Sequence, residues 1–299
     1  MGRARAPVCA GLLLTLLACS GESNPEPDRL DSPDPGDGSS IVLTSFGGEE
    51  VRVAAPVGRI VALVPSANET LLLLDAGARL VGRTDYDTAQ AMADLPSVGG
   101  GLQPNLEILR TLEPDVVVAF AGESDVRTTQ VLTEFGIPVL QVRPSRIADV
   151  RVMIEQLGLL TGAEPAASEL IARMDRTLSE VSAAVESLPP VRFAYLLGGT
   201  PPLAAGRETF LSELAEVAGG ENVLGDLDAP YAPVSPEVLV DRPLDVILMT
   251  EGSQVDARIL EGRRRAGLPS WIEIPGPSLG EAAWVVARAL HPELPGSGP

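Results

Sequence analysis

A single histidine, two cysteines and no lysine limit the chemistry open to this 299-residue chain. His291 stands in a His-Pro-Glu turn near the C-terminus and is expected to be a solvated loop residue. One histidine cannot supply a zinc site built on a His pair, and so near the tail it makes no Ser-His-Asp triad. Both cysteines, Cys9 and Cys19, precede the folded part, so neither disulfide nor thiol chemistry is expected in the body. No G-x-x-x-x-G-K-[ST] or strand-linked G-x-G-x-x-G phosphate cradle occurs. Asp and Glu number 41 against 22 basic residues, all of them arginine, for a net charge of −19. No spacing among those carboxylates marks an acid–base pair, although carboxylate catalysis stays open as a chemistry. A surface this acidic repels phosphate backbones, so nucleic acid is not an expected partner.

The elements that must position any site are legible as an alternation. Hydrophobic residues make up 45% of the chain, enough for one large domain or two lobes in the body. Two short strands around Gly47-Gly48 read as a hairpin over 41–55. Apolar strands follow over 59–64, 80–82, 115–120 and 138–142, with helices over 68–76, 106–111 and 126–135. Strands alternating with helices imply an α/β lobe with a parallel sheet. Two helices then run together, over 147–160 and 165–188. Pro165 suits the first turn of the second, and Pro189-Pro190 stops it. At about 1.5 Å per residue that helix spans roughly 35 Å, long enough to join two lobes. The alternation restarts with strands over 192–197 and 245–250, a short edge at 222–223, and helices over 210–218 and 236–240. The order Leu106-Glu107…Pro114-Asp115 returns as Pro236-Glu237…Pro243-Asp245, a weak internal duplication. The expected fold class is therefore α/β, two lobes with mainly parallel sheets joined by one long rigid helix.

The N-terminus carries an address. Arg3 and Arg5 precede an apolar run over 10–18, far short of the roughly 20 residues of a membrane span and typical of a secretory signal. Leu16-Leu17-Ala18-Cys19 resembles the bacterial lipobox, which implies removal of residues 1–18 and acylation of Cys19. Residues 20–40 are rich in Pro, Gly, Ser, Asp and Glu and read as a flexible tether. The expected organisation is a signal peptide (1–18), a tether (19–40), a first lobe (41–162), a connecting helix (163–189) and a second lobe (190–299). An exported protein on the periplasmic or outer face of a membrane follows.

An ordered set of short runs marks the body. It goes from Arg59-Ile60-Val61-Ala62-Leu63-Val64-Pro65-Ser66-Ala67-Asn68-Glu69 through Leu80-Val81-Gly82 to Asp85-Tyr86. It continues with Asn105-Leu106-Glu107 and Leu112-Glu113-Pro114-Asp115-Val116-Val117. The second half contributes Ala218-Gly219-Gly220-Glu221-Asn222-Val223 and the run Tyr231 to Glu237. Through this set the body resembles the substrate-binding proteins of ABC importers for cobalamin, iron-siderophores and haem. Pro201 to Glu208 is most similar to the cobalamin-binding branch. The resemblance implies no chemistry and no cofactor, only capture of a small-molecule ligand between the lobes. That ligand is expected to be cobalamin, with haem or a ferric siderophore as alternatives. The ligand-binding positions it implies are Pro65, Ser66, Tyr86, Phe120 and Tyr231, whose rings would lie on the broad face of a corrin. Glu107 and Glu237 are implied to dock on arginines of the permease, which works with its ATPase. Gly99-Gly100-Gly101 stands where relatives often have a large side chain, and Gly276-Pro277-Ser278 where many have Gly-Pro-Arg. A less ring-lined pocket is therefore expected. A sensory or structural lipoprotein, or a carboxylate-dependent hydrolase on the same scaffold, stays open beside this reading.

Overall fold

The computed structural model describes residues 39–122 and 126–295. The signal peptide, Cys19 and the tether up to residue 38 lie outside the described residues. The first elements are β1 (Ser40–Thr44) and β2 (Glu50–Ala54), paired antiparallel as the expected hairpin. Their alternation turns Leu43 and Val53 fully inward, as the two-residue period of a strand requires.

The first lobe continues with β3 (Ile60–Ala62), α1 (Pro65–Leu73), β4 (Leu80–Gly82) and a small hairpin of β5 (Gly99–Gly100) and β6 (Gln103–Pro104). Next come α2 (Leu106–Thr111), β7 (Val116–Phe120), α3 (Val126–Glu134) and β8 (Val139–Val142). Four strands form a parallel sheet in the order β4-β3-β7-β8. Val116, Val117, Val118 and Ala119 are wholly buried, because a parallel sheet is covered on both faces and needs a continuous apolar run. Helix α1 begins at Pro65, three residues before its expected start. Proline is tolerated there because first-turn N–H groups have no partner inside the helix.

Helices α4 (Ile147–Thr161) and α5 (Glu164–Val185) follow without an intervening strand. Along α5, Leu170, Met174, Leu178, Val181 and Val185 are buried at spacings of three and four residues. This stripe packs between α4 of the first lobe and the C-terminal helix of the second.

The second lobe holds β9 (Val191–Gly199), β10 (Pro202–Ala205), α6 (Phe210–Val217), β11 (Gly220–Asn222), β12 (Tyr231–Pro233) and α7 (Pro236–Val240). It ends with β13 (Val246–Thr250), α8 (Ala257–Leu260), β14 (Arg265–Leu268) and α9 (Leu279–Leu290). Its sheet runs β12-β10-β9-β13-β14, with β11 on β9. Strands β9, β11, β13 and β14 are parallel, while β10 and β12 add antiparallel. The sequence reading did not anticipate β10, β12, β14, α8 or α9. The strands among them are short and Pro- or Gly-bearing, so they lack a period. Helix α9 does carry one, with Leu279, Ala283, Val286 and Leu290 buried.

His291 corrects an expectation. It follows the last turn of α9 and is 2% exposed, because docking of α9 turns the imidazole inward against Gly219. It is a core residue, not a solvated one.

The internal duplication has a physical counterpart. In the first lobe Asp115 accepts from the backbone N–H groups of Gly58 (2.7 Å) and Arg59 (2.8 Å), and its own N–H donates to Arg59 O. In the second, Asp245 accepts from Arg192 N (2.9 Å) and donates its N–H to Arg192 O. Each aspartate fastens the start of one central strand to its neighbour. The Arg192 guanidinium also grips Asp245 (2.9 and 2.6 Å). Those bonds hold the Asp245 carboxyl down to about 2.

A folded-state value below the unfolded one, about 3.9 for aspartate, gives a contribution that is complete above that value. It is lost as pH falls toward 2. The pair is partly exposed, so solvent keeps it below about 1 kcal/mol. Urea denaturation of Asp245→Asn between pH 2 and 5 should show a flatter acid limb than the parent. An unchanged limb would show that the pair is not felt.

Candidate functional site

Two cavities meet at Pro65 and Tyr86. One, of about 420 Å³, lies between the lobes. Pro65, Glu69, Leu72, Tyr86 and Met92 line it from the first lobe, and Trp271, Ile274, Ser278 and Glu281 from the second. The other, of about 630 Å³, is a recess of the first lobe alone, lined by Leu63, Pro65, Tyr86, Gly101, Leu102 and Phe120. Both open beyond the C-terminal ends of parallel strands, where open α/β sheets place ligands. Pro65 follows β3, Tyr86 follows β4, and Phe120 ends β7.

Local hydrogen bonds put Tyr86 there. The Asp87 carboxylate accepts from Thr84 N, Thr84 Oγ1 and Asn68 Nδ2 at 2.7, 2.7 and 2.9 Å. Asn68 Nδ2 also donates to Ala62 O at 3.0 Å. The loop after β4 is thus tied to α1 and to the end of β3, and Tyr86 at its tip stays 69% exposed. Gly101 forms the recess floor because nothing larger fits: a Cβ there would sit 2.2 Å from Leu63 O.

Of the expected ligand positions, Pro65, Tyr86 and Phe120 come together. Ser66 does not join them. Its side chain is 1% exposed and points into the lobe, with Oγ donating to the Met153 thioether at 3.7 Å. One helical residue beyond Pro65, it necessarily faces away from the rim that Pro65 occupies. Tyr231, on β12, lines neither cavity. It belongs to a polar cluster of the second lobe, where burial and the nearby Glu273 charge push its hydroxyl up to about 12. Tyr195 Oη approaches Glu273 Oε1 at 3.4 Å, and burial raises its pKa too. Glu273 is itself raised by burial, although Thr250 and Tyr195 offer it hydrogen bonds.

The sequence reading missed the second-lobe wall of the cleft. Trp271 lies within a 3-10 turn over Ser270–Glu273 and Ile274 follows it, and Ser278 stands at the head of α9. Glu69 crosses to this wall, and burial raises its pKa while Ser278 hydrogen bonds oppose the shift. Among the described residues lining the two cavities, none is Arg or His, while Glu69, Asp87 and Glu281 are acidic.

Glu107 and Glu237 occupy the same step of the two half-repeats. Glu107 is exposed in the first turn of α2, where Asn105 Oδ1 caps the helix by accepting from Glu107 N (3.0 Å) and Ile108 N (3.1 Å). Glu237 is exposed in the first turn of α7, and hydrogen bonds from the Ser235 hydroxyl and its own N–H hold its carboxyl below the usual range. Among the described residues no helix is long and apolar enough to cross a membrane. No group of three metal-ligating side chains comes together among them either.

The sequence matches the Periplasmic binding protein family over residues 60–270, and the chain belongs to that family. It is similar to the vitamin B12-binding protein of Vibrio vulnificus (strain CMCP6), at 31% identity over 193 residues, covering 64% of this chain and 70% of that protein. It is also similar to an uncharacterized ABC transporter substrate-binding lipoprotein of Bacillus subtilis (strain 168), YvrC, at 26% identity over 279 residues, 90% of this chain and 86% of that one. Its fold is like that of the heme-binding protein HmuT, with a TM-score of 0.71 at 23% identity over 84% of this chain and 90% of that one.

Tyr86 and Gly101 differ in what the fold needs from them. Tyr86→Ala should change stability by less than about 0.5 kcal/mol, as for an exposed side chain. Gly101→Ala must displace backbone and should cost about 1–3 kcal/mol, the range for overpacking. Paired denaturation curves measure both.

Proposed function

We propose that this chain is the substrate-binding component of an ABC importer, capturing cobalamin or a related corrinoid between its lobes and delivering it to the membrane permease. The observation that carries this reading is the interlobe cavity, walled by Pro65 and Tyr86 on one side and Trp271 and Ile274 on the other. Its lining is largely apolar with ring faces, as a broad planar ligand requires, and its charged members are carboxylates. A corrinoid presents neutral amide side chains whose N–H groups suit carboxylate acceptors. Haem brings two propionates, which would meet like charge and no cation there. The similarity to vitamin B12-binding proteins supports the same assignment.

Delivery needs no catalysis by the protein. Glu107 and Glu237 stand on separate lobes as two anchor points for permease arginines, and bidentate pairing would fix orientation as well as affinity. In this reading residues 1–18 direct export, the acylated Cys19 anchors the chain to a membrane, and the tether over 19–40 holds the receptor near its permease. The body divides into lobes at 41–162 and 190–299 around the connecting helix, 163–189. A second reading, a haem or ferric-siderophore receptor, is favoured by the exposed phenol of Tyr86 alone, a group able to ligate ferric iron.

Spectroscopic titration with cobalamin, cobinamide, haemin and a ferric siderophore distinguishes them. Saturable binding of a corrinoid is expected, and binding of haemin alone would replace this reading with the second. Reversal of both docking charges, Glu107→Arg with Glu237→Arg, should lower uptake by cells more than roughly tenfold. Losing one partner of such a charge pair costs about 2–5 kcal/mol. Ligand affinity should stay unchanged.

A further inference from the structure

Each lobe sets a carboxylate at the start of a helix of the other. Helix α9 of the second lobe has no side-chain cap at its N-terminus. Ser278, in the cap position, instead directs its hydroxyl to the Glu69 carboxylate, on α1 of the first lobe. The approach depends on Gly276, where a Cβ would lie 2.5 Å from Glu69 Oε2 and 3.3 Å from the Ser66 Cβ.

The reverse exchange occurs at α4. Glu213, on α6 of the second lobe, accepts from Ile147 N, the first N–H of α4, at 2.8 Å. Its other oxygen takes Arg146 Nε at 2.6 Å. Beside it Phe210 N donates to Ser145 O at 2.6 Å. A carboxylate at a helix N-terminus meets both the unpaired N–H groups and the positive end of the helix dipole. Glu213 therefore satisfies an N–H of α4 directly, and Glu69 reaches the head of α9 through the Ser278 hydroxyl.

The two contacts lie in separate places between the lobes. Glu69 and Ser278 form part of the interlobe cavity, together with Glu281. Glu213 lies in a groove along α5 with Ile147, Arg151 and Asp175, which shares no residue with either cleft cavity. Two separate cross-lobe contacts constrain the relative placement of the lobes more than one would.

We propose that Glu69 and Glu213 are reciprocal positioning residues that hold the cleft at a set opening, with Glu69 the member that a bound ligand adjoins. Its effect on ligand retention rests on the proposed receptor function, but its effect on lobe geometry does not.

The experiment uses the full chain with Cys9 and Cys19 replaced by serine. Spin labels are placed at Glu134→Cys and Glu261→Cys, exposed positions on the first and second lobes. Interlobe distances are measured without ligand by pulsed electron resonance. The parent should give one narrow distribution. Glu69→Ala and Glu213→Ala should each add a displaced population, with a roughly tenfold shift in the ratio of opened to set forms, as expected for one charge-assisted hydrogen bond. Glu69→Gln, which keeps an acceptor for Ser278, should stay close to the parent. If an alanine variant does not fold, Ser278→Ala carries the same expectation of a displaced population, and so does Glu213→Gln, which keeps one acceptor oxygen where Arg146 and Ile147 use two. Distributions identical to the parent's in the variants that fold would overturn the proposal. Dissociation of a bound corrinoid should be roughly tenfold faster from Glu69→Ala. A parent that binds no corrinoid overturns the receptor reading, while the distance measurement still decides the clamp.

Discussion

One apolar seam, the stripe from Leu170 to Val185 on α5, holds the rest of the structure in place. Each of its large side chains is worth about 1.5–3 kcal/mol when buried, and they lie where α4 and α9 come together. Both lobes lean on the same helix, so their separation is set by side-chain packing rather than by a flexible hinge. Close packing resists gradual deformation, which suits a cleft that must keep its shape when empty. Cross-lobe polar contacts at Glu69 and Glu213 then act on an arrangement already fixed in its main dimension.

Charge is distributed with the same economy. The net charge of −19 leaves arginine as the only strong cation, and the paired arginines serve the scaffold. Arg192 holds Asp245, Arg151 holds Asp175 and Arg146 holds Glu213. None lines the cleft cavities. What faces the two cavities is apolar surface, exposed ring and carboxylate, so in the proposed receptor selection there would fall on shape and on hydrogen-bond donors rather than on anionic groups.

Much of the scaffold was legible because its signals are local. The run Val116–Phe120 is apolar throughout because both faces of its sheet are covered, and α2 was readable from Asn105 and the leucines that follow it. Pro165 and Pro189 bracketed α5 closely for the same reason: proline restricts its own φ and its neighbours wherever it stands. Tyr86 and Phe120 entered through the resemblance, and the structure sets one after β4 and the other at the end of β7, both at the cavities. Ser66, named by the same resemblance, turns inward because it lies inside the first turn of α1, where a shift of one residue rotates a side chain by about 100°.

Sequence alone determined the α/β alternation, the long joining helix, the scarcity of histidine, cysteine and lysine, and the two aspartates that start the central strands. It determined them because each depends on residues close together in the chain or on composition. Only the tertiary structure decided that His291 is buried, that Tyr231 joins Glu273 rather than the cavities, and that Ser278 meets Glu69 across 209 positions. Those outcomes depend on docking between segments distant in the chain, within the second lobe for His291 and Tyr231 and between lobes for Ser278, each a sum of weak contacts. No period or motif encodes such a sum. The cleft is made of residues whose roles arise only when both lobes are present.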